Sequence, residues 1–538
     1  MGKPTIFIKN NDVLINRIKD AGIILGFSTV YFTSTMILAD RRVFWTDELS
    51  TFYLAKLPKA SMLWEALADG PDTLPPLGFY ATRLSIQLFG EVHIAARLPA
   101  ILGFWSMCVG VFLFVRRYAS TAFAGVAMLS PLSTMAYSYA YEARPYGLMM
   151  GFGTVVLLCW QRVCEGRHRI WWQLGMATSL AAALASHWYA ILILIPLGLG
   201  EAVRVFCRRR PDYSTWAALA LGLASLGAYL PLIRHARTFR TEMAGGIVGP
   251  LAVFATYQQL LQGGVLLFLA LLLVLAWLAP KSLAGVANDQ TPDLLRIPVE
   301  VMAAIVGFLL LPVFGAILAT FVTGAFNTRY LLLAETGFAI GIGLATHRLA
   351  GGCRWTGGIV LTIAAVFGLF RIYESKIGLR ERSAIREKTS VFSILRCPLA
   401  MADSPDPIVV PDVHTYYTLR HYAPSPLAER LVYLTEYDAI ASRMSRGLKS
   451  WTPWRIEEYK DFTGRHAQFL LFDYSYFEEH SKSPLLPRLI QEGAKISDSG
   501  CLDTRDIYPR PGSLYRVTLP PKTQTSTTKS SDFSSVPE

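Results

Sequence analysis

The chain has 538 residues, of which 52% are hydrophobic and only 17% charged, against roughly a quarter charged in an ordinary soluble protein; this excludes a soluble enzyme. Its 51 Lys and Arg exceed its 39 Asp and Glu, for a net charge of +12, yet the basic residues fall in short clusters between apolar runs, as topology signals do, and not in a nucleic-acid footprint. Seven cysteines without a Cys-x-x-Cys pair exclude a disulfide scaffold and a zinc module.

In chain order, Lys3, Lys9, Arg17 and Lys19 precede an uncharged stretch from Ala21 to Ala39. It is too long for the core of a cleaved signal peptide and predicts a retained first span. Further apolar stretches run Leu98–Val115, Tyr118–Tyr141, Pro145–Gln161, Ile170–Ser186, Trp188–Gly200, Tyr213–Ile233, Gly263–Pro280, Val301–Gly324, Tyr330–Thr346 and Trp355–Phe370, eleven in all. With a cytoplasmic N-terminus the inner loops are 1–20, 116–117, 162–169, 201–212, 281–298 and 347–354. They hold 17 Lys/Arg against 7 Asp/Glu, the bias of the cytoplasmic side. Pro75–Phe89 is apolar but short and contains Arg83 and Gln87, so it reads as an interfacial amphipathic helix within an outer loop of residues 40–96. Pro131 and Pro312 predict kinks within spans.

Composition changes near Glu374. Four β-type runs, Ile408–Val410, Leu431–Leu434, Phe469–Phe472 and Leu514–Val517, are separated by helix-length polar segments. They predict a small α/β domain over residues 374–519, outside the membrane, behind a transmembrane domain of residues 1–373. Residues 520–538 are a Ser/Thr/Lys/Pro tail expected to be disordered. Cys397 and Cys501 both fall in the outer domain, where an oxidising compartment would allow a disulfide.

With this topology the polar features collect at the outer ends of spans: Asp47-Glu48, Glu142-Ala143-Arg144-Pro145-Tyr146, His187-Trp188-Tyr189 and Asn327-Thr328-Arg329-Tyr330. Adjacent carboxylates beyond a span can act as a general base or hold a divalent cation; equally, Thr46 can cap a helix whose dipole Asp47 and Glu48 complement. Pro145 disfavours helix at Arg144, which makes 142–146 a tight turn carrying charge; Glu142 and Arg144 either pair or serve the site. His187 reads as an interfacial residue or as an acid/base group. Arg329 either anchors in headgroups or grips a phosphate with its planar fork.

The order of these features over residues 20–375 resembles the polyprenyl-phosphate-dependent glycosyltransferases of the GT-C fold, the protein O-mannosyltransferase and lipid A aminoarabinose transferase superfamily. Asp47-Glu48 follows the first span, and the same loop carries Pro75-Pro76-Leu77 and Arg97-Leu98-Pro99. Glu-Ala-Arg-Pro-Tyr stands at 142–146, a His-Tyr-like element at 187–189, and Arg329-Tyr330 precedes Leu331-Leu332. Two departures stand out: Leu74 where many relatives have His, and Trp188 inserted before Tyr189. The resemblance implies an α-helical polytopic membrane protein of about eleven spans with a C-terminal soluble α/β domain. It implies inverting transfer from a polyprenyl-phosphate sugar, such as an undecaprenyl phosphate conjugate, to a cell-envelope glycan, lipid or protein at the outer face of the cytoplasmic membrane.

It further implies roles for named residues. Asp47 would be the general base, with Glu48 and Glu142 shaping the acceptor and sugar side; Asp47 and Glu142 are the candidates for holding Mg2+, Mn2+ or Zn2+. Arg329, Arg144 and Tyr330 would face the donor phosphate, and Tyr146, His187, Tyr189, Pro75, Pro76 and Arg97 would line the donor and acceptor pocket. A lipid-linked sugar flippase or transporter is the competing class, but transporters place polar groups near the midplane, often in inverted repeats. Here they cluster at one rim and no repeat is visible. A scaffold that recruits partners leaves the clustered carboxylates without a role.

Overall fold

The computed structural model describes residues 5–70, 72–238, 248–283, 297–351, 353–388, 404–435, 447–473, 485–498 and 513–521. Cys397, Cys501 and nearly all of the tail lie outside them. The chain divides into two compact units, Met1–Ile385 with Arg443–Thr452, and Arg386–Ser442 with Pro453–Glu538.

The first unit is helical. Helix α1 (Thr5–Arg41) carries the first apolar stretch, and the outer loop after it folds into α2 (Thr46–Ala55), α3 (Ala60–Asp69) and α4 (Leu77–Phe89). Then come α5 (His93–Val115), α6 (Thr121–Leu129), α7 (Tyr146–Glu165), α8 (Arg169–Ser186), α9 (Leu194–Arg208), α10 (Tyr213–Ala224), α11 (Leu230–Thr238) and α12 (Pro250–Leu283). The series closes with α13 (Val299–Leu309), α14 (Leu311–Leu318), α15 (Ala334–Leu349) and α16 (Arg354–Lys388). The last helix runs past the boundary expected at residue 374 because Glu, Lys, Arg and Ala, all good helix formers, dominate its final turns.

Among the described residues seven helices are long and apolar enough to cross a membrane, eight if α13 and α14, bent by 52°, count as one span. The eleven apolar stretches are thus all helical; three of them form shorter, broken or less apolar helices than the other eight. The third breaks at Pro131, where α6 gives way to 3-10 turns over Ser130–Ser133 and Met135–Tyr141. Arg169 and Gln173 dilute α8, and α15 begins only after a 3-10 turn at Thr328–Leu331. Proline accounts for the Pro131 break and the bend at Pro312, since it has no N–H to give the preceding turn. A further break at Gln262 (φ 23°) in α12 has no proline; Gly263 and Gly264 follow it directly.

Helices α5 and α7 pack backbone to backbone. A Cβ on Gly147 would lie 2.2 Å from the Ala100 carbonyl oxygen, and one on Gly151 2.4 Å from that of Gly103, so only glycine permits this approach. It sets the start of α7, with the 142–146 turn before it, beside Arg97 on α5. At the opposite ends of the helices, Trp160 Nε1 donates to Glu201 (2.7 Å), and Arg204 bridges Glu201 (2.8 Å) and Asp212 (2.9 Å).

The second unit is built on a six-stranded sheet: β1 (Ile408–Val409), β2 (Leu431–Thr435), β3 (Ile456–Glu458), β4 (Gln468–Asp473), β5 (Lys495–Asp498) and β6 (Ser513–Thr518), in the order β3-β2-β1-β4-β6-β5. The first four run parallel; β6 is antiparallel to β4 and β5. All four β-type runs of the sequence are strands. β3 and β5 were not anticipated, being rich in Glu, Lys and Asp.

Candidate active site at one rim of the helical unit

Successive helix positions lie about 100° apart, so the two carboxylates in the first turn of α2 face different surroundings. The helix starts at Thr46 with Trp45, not Thr46, as its N-cap. Glu48 turns inward and is fully buried. It accepts from Arg97 Nε (2.7 Å) and Nη2 (2.8 Å), from the Ala143 N–H (2.7 Å) and from the Trp45 N–H (3.3 Å). Burial alone would raise its pKa; the Arg97 guanidinium outweighs this and holds it below the ordinary carboxylate value. Arg97, equally buried, also donates to the carbonyls of Ala39, Arg42 and Val43. Two residues expected to face substrate therefore bind each other instead, tying the end of α1, the start of α2 and the 142–146 turn together.

Asp47 turns to the rim. Its Oδ2 accepts from Arg329 Nη1 at 3.1 Å, and both side chains are 22% exposed. The Arg329 guanidinium carbon lies within 6 Å of the ring centroids of Trp45 (5.7 Å), Tyr146 (5.9 Å) and Tyr330 (5.7 Å), aromatic faces that attract a cation. Asn327 caps the 3-10 turn on which Arg329 sits, its Oδ1 accepting from the Arg329 N–H. The guanidinium Nε is buried with no hydrogen-bond partner.

Arg144 is held from three sides: Nη1 donates to Asp72 Oδ2 (2.7 Å), to Thr51 Oγ1 (3.1 Å) and to the Asp47 carbonyl (3.2 Å). The other Asp72 oxygen accepts from the Leu74 N–H (3.1 Å). Glu142, 4% exposed, faces Arg42 Nη2 at 3.6 Å, and its Oε1 has no hydrogen-bond partner. Burial is the largest cause that pushes its pKa up to about 7; Arg42 opposes the rise, while Glu48 and Asp47 add to it. Such a carboxyl is half protonated near neutrality.

His187 is buried among aromatic rings, with centroids 5.4 Å from Tyr146, 6.0 Å from Tyr189 and 5.2 Å from Tyr330. Its Nδ1 accepts from the Tyr189 N–H (3.1 Å) and so is unprotonated, while Nε2 has no partner. Burial, with Arg144 and Arg329 nearby, pulls its pKa down to about 3, leaving a neutral imidazole. The Tyr189 hydroxyl meets Thr323 Oγ1 (2.7 Å) and the Ala325 carbonyl. Pro75 and Pro76 are buried where α4 begins, and Gly78 abuts Pro145.

The structure thus brings Asp47, Arg329, Arg144, Tyr146, Tyr330, His187 and Glu142 into one cluster, with Glu48 and Arg97 beneath it. Among the described residues no three His, Cys, Asp or Glu side chains group as metal ligands; Asp47 and Glu142, the pair considered for a cation, each face a guanidinium. Asp72, Arg42 and Trp45 were missed. Asp72 left one faint signal, an acid four residues before Pro76 in an apolar stretch; Arg42 and Trp45 left none.

Residues 73–235 match the family model of dolichyl-phosphate-mannose-protein mannosyltransferases. No curated protein sequence matches the chain. Two solved structures of ArnT from Cupriavidus metallidurans are similar to it: one bound to undecaprenyl phosphate (TM-score 0.54) and one in the apo state (0.55), each at 14% identity and covering 92% of this chain and 98% of that one. At that identity the likeness is one of fold. Fold and family match together bear out the resemblance to the GT-C glycosyltransferases, and the chain is an integral membrane protein with that fold.

Proposed function

We propose that the chain moves a sugar from a polyprenyl-phosphate donor to a cell-envelope acceptor at the outer face of the cytoplasmic membrane, with its N-terminus inside and residues 374–538 outside. The observation that carries this reading is the Asp47–Arg329 pair at 3.1 Å: a carboxylate beside an aromatic-caged guanidinium, at the rim where an acceptor and a lipid phosphate would meet. Asp47 takes the proton of the acceptor hydroxyl or amine as its oxygen or nitrogen attacks the anomeric carbon from the side opposite the phosphate. The bond between that carbon and the phosphate oxygen breaks, the sugar inverts, and the polyprenyl phosphate leaves carrying the negative charge.

Arg329 offsets that charge. Before the donor arrives it pairs with Asp47; the phosphate draws it away and frees the base. Arg144, committed to Asp72, contributes its field and holds the backbone of Asp47. Glu142, with a raised pKa, donates or accepts a hydrogen bond at the sugar or acceptor. Glu48 and Arg97 position the turn that carries Glu142 and Arg144. Mass spectrometry of envelope lipids and glycans with and without the gene tests the reading: loss of one sugar from one acceptor is the expected result, and unchanged glycans together with an altered transbilayer distribution of the lipid-linked sugar would replace the transferase with a flippase.

A further inference from the structure

Trp188, the residue that departs from the His-Tyr pattern, is fixed in place. Its Nε1 donates to the Thr73 carbonyl at 2.7 Å. The nitrogen is the only polar atom of an indole, so what remains open of this half-buried side chain is carbon surface. The Tyr229 ring lies edge-on at 6.1 Å, and Trp64, on α3, lies 6.2 Å beyond it; all three are half-buried. Trp171, Trp277 and Trp355 are more open, at 71%, 68% and 85% exposed. The three half-buried rings form one contiguous aromatic cluster.

The surroundings are polar. Asp69, the last residue of α3, is exposed and accepts from Trp451 Nε1 at 2.9 Å. An isoprenoid chain laid across these rings would strip water from that carboxylate and from the Thr73 backbone and return no hydrogen bond. A ring with one C–H face and a rim of hydroxyls fits both parts, since the electron-rich aromatic face attracts polarised C–H groups and the carboxylate accepts from hydroxyls. The ring cluster is also linked to the candidate active site: from Thr73 the chain continues to Leu74, whose N–H is held by Asp72, which holds Arg144, which holds the Asp47 carbonyl.

We propose that Trp64, Trp188 and Tyr229 form a stacking subsite for a saccharide ring of the acceptor, with Asp69 receiving its hydroxyls. This rests on the transferase reading and narrows its acceptor class to a glycan or glycolipid headgroup. The test uses the full-length chain in detergent on an array of short immobilised oligosaccharides of neutral hexoses and N-acetylhexosamines, with undecaprenyl phosphate binding measured on the same preparations. Wild type should retain at least one saccharide class. Trp64→Leu and Tyr229→Leu, both at half-exposed positions, should weaken that retention about tenfold while undecaprenyl phosphate binding stays within about twofold; Trp188→Phe, which keeps a ring and loses the N–H, should fall between. Absence of saccharide retention by wild type, or retention by Trp64→Leu and Tyr229→Leu equal to wild type, overturns the subsite. Loss of undecaprenyl phosphate binding in these variants with saccharide retention intact assigns the three rings to the isoprenoid and also overturns the subsite. Ring-dependent saccharide retention by a wild-type chain that does not bind undecaprenyl phosphate would leave the subsite standing and remove the proposed donor.

Discussion

Replacing Asp47 by Asn separates the two tasks that the Asp47–Arg329 pair performs. The amide keeps the size and an acceptor oxygen, so the 3.1 Å contact to Arg329 Nη1 can persist as a neutral hydrogen bond, but the charge and the base are gone. Loss of a general base lowers turnover by about a hundredfold to ten-thousandfold. The effect on the lipid phosphate has the opposite sign. With both side chains 22% exposed, the ion pair is worth about 1 kcal/mol, and a phosphate that must displace Asp47 from Arg329 is spared that cost in the variant. Undecaprenyl phosphate should therefore bind the Asn variant as tightly as wild type or up to about fivefold more tightly. Turnover is followed by mass spectrometry in membranes carrying the native donor and acceptor, and binding is measured on purified protein with undecaprenyl phosphate. Wild-type turnover would remove Asp47 from the chemistry. Binding weakened more than about tenfold in a folded variant would refute the idea that carboxylate and phosphate compete for one guanidinium.

Arg329→Ala should lose roughly a hundredfold in rate, the effect of about 2–4 kcal/mol at the transition state. Arg329→Lys should rescue it only in part, because a point charge cannot make two parallel hydrogen bonds; equal donor-dependent kinetics for Arg and Lys would mean headgroup anchoring. Glu48→Gln and Arg97→Met should each destabilise the helical unit by about 3–5 kcal/mol by leaving a buried charge alone, and the double variant should recover part of that loss, read as thermal unfolding in detergent; single variants that melt like wild type would contradict the burial. Glu142, with a folded-state pKa of about 7 above its ordinary value of 4.5, contributes stability that is complete below about pH 4.5 and lost as pH rises through 7. Glu142→Gln should remove this component, so the melting temperature of wild type relative to the variant should fall between pH 5 and 8; a constant difference would refute the shift. A reporter active only outside the cytoplasm should work when fused after Leu519 and fail at Arg117, and the reverse at either point would invert the topology.

Much of this protein was determined by local sequence. Hydropathy located the long apolar helices, though not α2 or α3, because transfer of side chains out of water is a property of each segment alone. Pro131, Pro145 and Pro312 marked the breaks and the turn, because proline acts on its own backbone and its neighbours. Period and β-branching located β1, β2, β4 and β6, but not β3 and β5, whose charged residues tolerate a strand only because partners are already there.

Which of two adjacent carboxylates would be sealed in and which left at the rim was not local information. It depends on the facing of α2, which packs on α4, toward Arg97 of α5. Asp72 became a site residue only because α3 and α4 carry the loop between them back to Arg144, and Trp188 found its carbonyl at Thr73, 115 residues away in the chain. Charges bury only where opposite charges and hydrogen bonds already wait for them, and those partners are supplied by packing across the whole helical unit, so their pairing was decided by the tertiary structure alone.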